Sequence, residues 1–249
     1  MCIFTGTALV SDTSIFARSS KEGRQFVVYT MIMGSKEDLA MILPIPVPKN
    51  TKEDAVKFIN LEKYPNFFDD MRAGFPQPRP AFMGGFGGFG GAGAMPNNAP
   101  LQVVGVGAFE ASFVPTAKDF QRLDERFRLP ADVWEKLPRY KDFGFAVFKL
   151  KKGESQRVHP MAFDFPRADP RKMFFPTVHI HDGKIQARAE FDHALYIQPD
   201  RILNMGWKES RRTAGMFLKT DKALGLVDPR RHIYTREMHG TFKNDDVII

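Results

Sequence analysis

Residues 24–33, RQFVVYTMIM, are the stretch on which the fold turns. Val27, Val28, Tyr29 and Thr30 place β-branched and aromatic side chains side by side, a composition that favours a strand. Upstream, residues 2–10 (CIFTGTALV) are apolar and β-branched, residues 11–14 (SDTS) read as a polar turn, and residues 15–19 (IFARS) resume the extended pattern. Downstream, residues 39–48 (LAMILPIPVP) are a further strand candidate. Pro44, Pro46 and Pro48 cannot all donate to a ladder, so this segment is predicted to be an edge or to leave the sheet in polyproline conformation.

Beyond the strands, Thr51 with Asp54 three residues on is a capping-box start, and Val56, Phe58 and Ile59 supply the apolar side of a predicted helix. Residues 64–81 are proline-punctuated loop. Residues 81–100, AFMGGFGGFGGAGAMPNNAP, match no phosphate-binding pattern: no GKS or GKT occurs, and no GxGxxG enters a helix. Such dense glycine reads as a mobile insertion or linker. Phe82, Phe86 and Phe89 are candidate binding anchors if the segment instead forms a lid or a self-association loop. After it, residues 101–115 read as two short strands meeting near Gly105 to Ala108. Residues 116–127 (TAKDFQRLDERF) are the best helix candidate, with Thr116 as cap and Phe120, Leu123 and Phe127 on one face. A short helix is predicted over 131–137, a strand over 143–150, and a hairpin turning at Asp182-Gly183. That hairpin sets Ile180 opposite Ile185 and Val178 opposite Ala187, and the closing VII could add a last strand. The expectation is one α+β domain over 1–249, mainly antiparallel sheet with two or three helices and a Gly/Phe-rich insertion at 82–100.

A chain of 28.3 kDa can bury one sizeable core or two small ones. It carries 24 Phe against 5 Tyr and 2 Trp, which gives large burial without a polar group on each ring. One cysteine excludes an intrachain disulfide and any all-cysteine metal site. The formal charge of +7 favours acidic partners, but the basic residues come in scattered pairs such as Lys151-Lys152, Arg211-Arg212 and Arg230-Arg231. No nucleic-acid-binding signature accompanies them, so nucleic acid is not the expected partner. No uncharged apolar run approaches the length of a membrane span, and no basic segment leads into an apolar one at the start. The expected compartment is the cytoplasm.

His179 and His181 lie two apart in a predicted strand and so share a face, with His193 twelve residues on. Lys184 and Arg188 on the same face would repel a divalent cation, so these read as solvated histidines; no metal and no cofactor is expected. Cys2 differs because of its place in the chain. Removal of Met1 would leave its thiol beside a free α-amine able to act as a local base. The run CIFT…SDTSIFAR resembles the opening of the choloylglycine-type branch of the amino-terminal nucleophile hydrolases. That resemblance implies Cys2 as nucleophile, Arg18 as the arginine that orients it, and a small amide as substrate. Lys21 stands where an aspartate would follow the arginine.

A broader resemblance covers about half the chain. FVVYTMIMGSKEDLAMILPIPVP, VGAFEASFVPTAKDFQRLDERFRLP, YKDFGFAVFKLKK and VHPMAFDFPRADPRKMFFPTVHI are similar to segments of an uncharacterised bacterial family of unknown function with an "ILPVP"-like element. It implies a fold-level grouping and no mechanism. Two readings follow. The first is a non-catalytic cytoplasmic protein that binds another protein or assembles with itself, with Phe82, Phe86 and Phe89 as the candidate surface. The alternative is an amino-terminal cysteine amidohydrolase using Cys2 and Arg18.

Overall fold

The computed structural model describes residues 3–75, 103–107, 109–125, 128–129, 131–180, 185–200, 203 and 206–249. The strands in chain order are β1 (Ile3–Phe4), β2 (Leu9–Ser19), β3 (Arg24–Ser35), β4 (Leu39–Ile45), β5 (Lys57–Asn60), β6 (Val103–Val106), β7 (Phe109–Val114) and β8 (Gly144–Leu150). They continue as β9 (Gly153–Arg157), β10 (Met161–Pro166), β11 (Phe174–Phe175), β12 (Arg188–Gln198), β13 (Lys208–Glu209), β14 (Tyr234–Lys243) and β15 (Val247–Ile248). Among the described residues there are two short α-helices, α1 (Phe67–Ala73) and α2 (Ala131–Glu135). The protein is α+β with predominantly antiparallel sheet. Among the described residues no helix is long and apolar enough to cross a membrane.

A five-stranded sheet runs β1-β4-β8-β7-β6, and an eight-stranded one runs β13-β14-β12-β2-β3-β10-β5 with β9 added against β3. Only β12 and β2 pair in parallel among these strands. The period-two alternation of the strands builds the layers. Ile15, Ala17, Val27, Tyr29 and Met31 of the larger sheet meet Met41, Leu43, Ala146 and Phe148 of the smaller in one core between the sheets. Their neighbours Phe16, Val28, Ala194 and Tyr196 point the other way, under α1 and residues 214–233. On the far face of the smaller sheet, Ala40, Ile42, Phe145 and Val147 lie under Phe120, Val133, Leu137 and Tyr140.

Several expectations need correction. SDTS is no turn: β2 continues through it with a bulge, the register against β3 shifting between Ser11 and Ser14. The predicted helix from Thr51 is a single 3-10 turn over Glu53–Ala55, followed by β5. Phe58 and Ile59 face opposite sides of the sheet, and pairing with β10 outweighs the helix-start signal. Over Ala117–Arg122 the chain is 3-10 and not α-helix, and the Thr116 hydroxyl bonds the Asp119 carboxylate (2.7 Å) and caps no amide; residues 126 and 127 lie outside the described residues. Phe120 is held instead against Trp134, tilted at 4.8 Å, and edge-on to Phe145 at 5.1 Å. The proline-spaced segment is an inner strand at Met41 and Ile42, where β1 and β8 flank it, and an edge from Pro44 onward. Pro46 and Pro48 lie past its end.

Asp182-Gly183 lies outside the described residues, but the ladder expected across it is absent. Ile180 instead bridges Ile3, and Phe4 donates its N–H to the Ile180 carbonyl at 3.1 Å. The arms are joined by buried Asn244, whose amide donates to the carbonyls of His179 (2.8 Å) and Gln186 (3.0 Å) and accepts from the His179 N–H (2.7 Å). The expected last strand is present as β15, paired with β11.

Asp246 completes this C-terminal latch. Its carboxylate accepts from the Tyr140 hydroxyl (2.7 Å) and from the N–H groups of Thr177 (2.9 Å) and Val178 (3.1 Å). Burial raises its pKa above the ordinary carboxylate value, against the lowering effect of those donors. A carboxyl whose folded pKa is raised stabilises the fold fully below its unfolded pKa and loses that contribution as pH rises through the folded one. Relative to Asp246→Asn, the wild type is therefore expected to gain stability as pH falls from neutral toward the ordinary carboxylate range. Urea unfolding at a series of pH values measures it; a flat difference between the two proteins would contradict the shift.

Candidate functional site

The interruption in β2 gathers most of the polar groups that could do chemistry. Asp12 sits at φ +48, a left-handed backbone that Asp tolerates better than most residues. Its N–H donates to Asp192 Oδ2 at 2.6 Å, and its carboxylate takes Arg157 and, at 3.3 Å, Arg72. Arg72 also pairs with Asp69 one turn back on α1. Burial alone would lower the Arg72 pKa; Asp12 and Tyr196 raise it by more. Burial chiefly pushes the Tyr196 hydroxyl up to about 12, against the opposing pull of Arg72. Two arginines thus face three carboxylates, and at this exposure each pair contributes about 0–1 kcal/mol.

Directly beside this cluster, Thr13 lies opposite His193 in the parallel β2–β12 pair, and His193 Nδ1 is 3.7 Å from Asp192 Oδ1. Hydroxyl, imidazole and carboxylate thus share a neighbourhood, as nucleophilic catalysis requires. Thr13, Ser14 and His193, however, each have 0% exposed surface. No substrate carbonyl can reach the hydroxyls. Neither Thr13 Oγ1 nor Ser14 Oγ has a hydrogen-bond partner among the described residues, which costs about 1–3 kcal/mol for each. The expectation of solvated histidines is also corrected. His179 is half-buried, its ring 4.3 Å from Phe191 and 5.0 Å from His193. His181 lies outside the described residues, among which no group of three or more His, Cys, Asp or Glu is placed to hold a metal.

Arg18 is spoken for. From the end of β2 it leaves the outer face of the larger sheet, donates Nε–H to the Leu226 carbonyl (2.8 Å) and Nη2–H to that of Gly225, and lies over the Phe26 ring. Burial lowers its pKa, with Asp228 opposing. Ile3, the residue after Cys2, belongs to the smaller sheet. Cys2 itself, and Phe82, Phe86 and Phe89, lie outside the described residues.

What Arg18 grips is the feature that the sequence did not announce. Leu224 adopts φ +49 and Gly225 φ +78, two left-handed residues in succession. For glycine this conformation is ordinary; for leucine it costs about 1–2 kcal/mol. The Leu224 side chain is 57% exposed, although Ala223, Leu226 and Val227 around it are buried. The platform is fixed on three sides. Gln198 donates to the Asp228 carbonyl and accepts from the Asp228 N–H, both at 2.8 Å, and the Tyr64 hydroxyl accepts from the Lys219 N–H (2.8 Å) while donating to Asp70 (2.8 Å). Met216, 64% exposed, lies on the same covering segment, with Lys219 and Lys222 between the two. Nothing in the residue types of KALGLV marks Leu224 as outward; only the following glycine hints at a turn.

No family model matches the sequence, and no curated protein matches it. The fold is similar to that of baculovirus P35: the crystal structure of P35 aligns with a TM-score of 0.49 at 15% identity, covering 99% of this chain and 98% of that one. A mutated baculovirus P35 solved after caspase cleavage aligns at 0.47 and 14% identity, over 96% of this chain and 99% of the other. A chain of the caspase-8/P35 complex gives 0.48 and 13% identity, over 96% and 95%.

Proposed function

We propose that the chain is a non-catalytic, cytoplasmic protein that acts by binding another protein, with Leu224 as the contact knob. The observation that carries this reading is a leucine held outward, in a conformation unfavourable to it, on a turn fixed by Arg18, Gln198 and Tyr64. Backbone strain of this kind persists where the surroundings enforce it, and it clusters at functional positions. The exposed Met216 extends the apolar contact, and the charges around it are mixed: Lys219 lies beside Asp70 and Arg230 beside Asp228, both at 3.7 Å, with Asp221 and Lys222 exposed. A fitting partner therefore offers an apolar recess with a polar rim. The sealed positions of Thr13, Ser14 and His193 support the non-catalytic part.

Leu224→Gly is expected to raise stability by about 1 kcal/mol, since relief of the left-handed strain exceeds the added freedom of the unfolded chain. Denaturant unfolding reads this; a clear loss of stability would mean that Leu224 packs inward. For binding, a benzophenone amino acid at position 224 should cross-link one discrete protein in the producing cell, and the same group at exposed Glu154 of β9 far less of it. Equal labelling from both positions would sink the knob. Hydrolysis of a small amide by the purified chain, abolished by Cys2→Ala, would overturn the non-catalytic reading altogether.

A further inference from the structure

The geometry points to the open edge of β14 as a self-pairing surface, which joins two copies of this chain by antiparallel addition centred on Gly240. β14 pairs with β12 along its whole length, from Tyr234 to Lys243, but with β13 only at Tyr234 and Thr235. Among the described residues no strand takes up the outer side of residues 236–243. An edge this long is a template for another strand.

The direction of the backbone groups follows from the two ends of the strand. Ser210 donates its N–H to the Ile233 carbonyl (2.8 Å) on the outer side, and Asn244 donates to the Ala187 carbonyl (2.9 Å) on the β12 side. With the β12 register unbroken between them, odd-numbered residues point their amide groups outward: Glu237, His239, Thr241 and Lys243. A twofold antiparallel pair must then place odd residues opposite odd ones, which limits the centre to one position or another along the strand without half-steps.

Charge selects among those centres. Centred on Gly240, Glu237 lies opposite Lys243 twice, His239 opposite Thr241 twice, and Met238 opposite Phe242 twice on the other face. Centred on His239, the two copies of that histidine meet and no opposite charges do. Centred on Thr241, Glu237 meets Asp245. Glu237, His239, Thr241 and Lys243 are all exposed; within one chain Glu237 pairs with His239 (2.9 Å), Thr241 donates to Glu190 and Lys243 pairs with Asp245, surface contacts that a partner strand would exchange for its own. At the centre itself Gly240 has φ +103, and a Cβ built there would meet nothing within 4 Å, which leaves the twofold axis clear for two strands to approach. The result would be one sheet continuous through both copies.

This pairing deepens the reading of the chain as a binding or assembly-forming protein but does not use Leu224. A strictly monomeric protein would sink the pairing and leave the cross-link from position 224 untouched. Sedimentation equilibrium of the full chain should show a monomer–dimer equilibrium that weakens with added salt. Lys243→Glu should weaken it about tenfold, since two opposite-charge pairs become like-charge pairs. Combining Glu237→Lys with Lys243→Glu should restore it to within a few-fold of wild type, with circular dichroism melts confirming that both variants fold. A monomer at every concentration overturns the proposal. So does a dimer indifferent to Lys243→Glu, or one that the double variant fails to recover.

Discussion

Phe148→Ala is expected to lower the unfolding free energy by about 3–5 kcal/mol, the range for deleting a ring from a packed core. Phe148 is fully buried in β8, between the sheets. Its ring meets Phe58 at 5.5 Å, Phe163 at 6.0 Å and Phe109 at 6.4 Å, so the cavity would open onto rings contributed by both sheets. Those rings are anchored in three further strands and can collapse only partly into the space, which places the cost toward the upper end. Urea titration should show a lower midpoint with an unchanged slope. A loss below about 1 kcal/mol would mean that the two sheets close over the gap and are not rigidly set apart.

Asn244→Ala should cost about 2–4 kcal/mol although it removes little apolar surface. The side chain satisfies the His179 N–H, the His179 carbonyl and the Gln186 carbonyl together, and alanine leaves all three without that partner. The loss should also have an address. Ile180 is bridged to Ile3 and bonded to Phe4, so hydrogen exchange at Phe4 should accelerate in this variant. In Phe148→Ala, by contrast, exchange should rise throughout the core. Uniform acceleration in both proteins would refute the latch.

The strands were legible because their evidence is local. RQFVVYTMIM and IFARS carry β-branched and aromatic residues in alternation, and burial of alternate faces follows directly. Sequence and structure diverge where a local signal meets a distant partner. Thr51 and Asp54 signal a helix start, yet β10 recruits Lys57–Asn60 as an edge strand. SDTS has the composition of a turn, yet β12 aligns Thr13 and Ser14 in parallel from some 180 residues away, and the polar residues are absorbed into a strand. The resemblance gives Arg18 a role beside Cys2, which lies outside the described residues; in the structure its guanidinium holds the carbonyls of Gly225 and Leu226. Leu224 itself could not be found this way. An outward leucine and an inward one have the same letter, and only the carbonyls that Arg18 grips separate them.

The junction at Ile180 bears on how the chain comes to be made. The first strand pairs with β4 early, but its other side is not closed until residue 180 exists, and residues 177–179 are not clamped until Asn244 and Asp246 have been added. A growing chain on the ribosome would carry β2, β3 and β4 for most of its synthesis without β12 or the closing tail. Such long-range closure slows folding and leaves strand edges exposed while it waits. Folding should therefore include a late, concerted locking of residues 3–5 and 177–180 by residues 244–249, and a chain lacking residues 244–249 should be poorly soluble even though the strands of both large sheets are present.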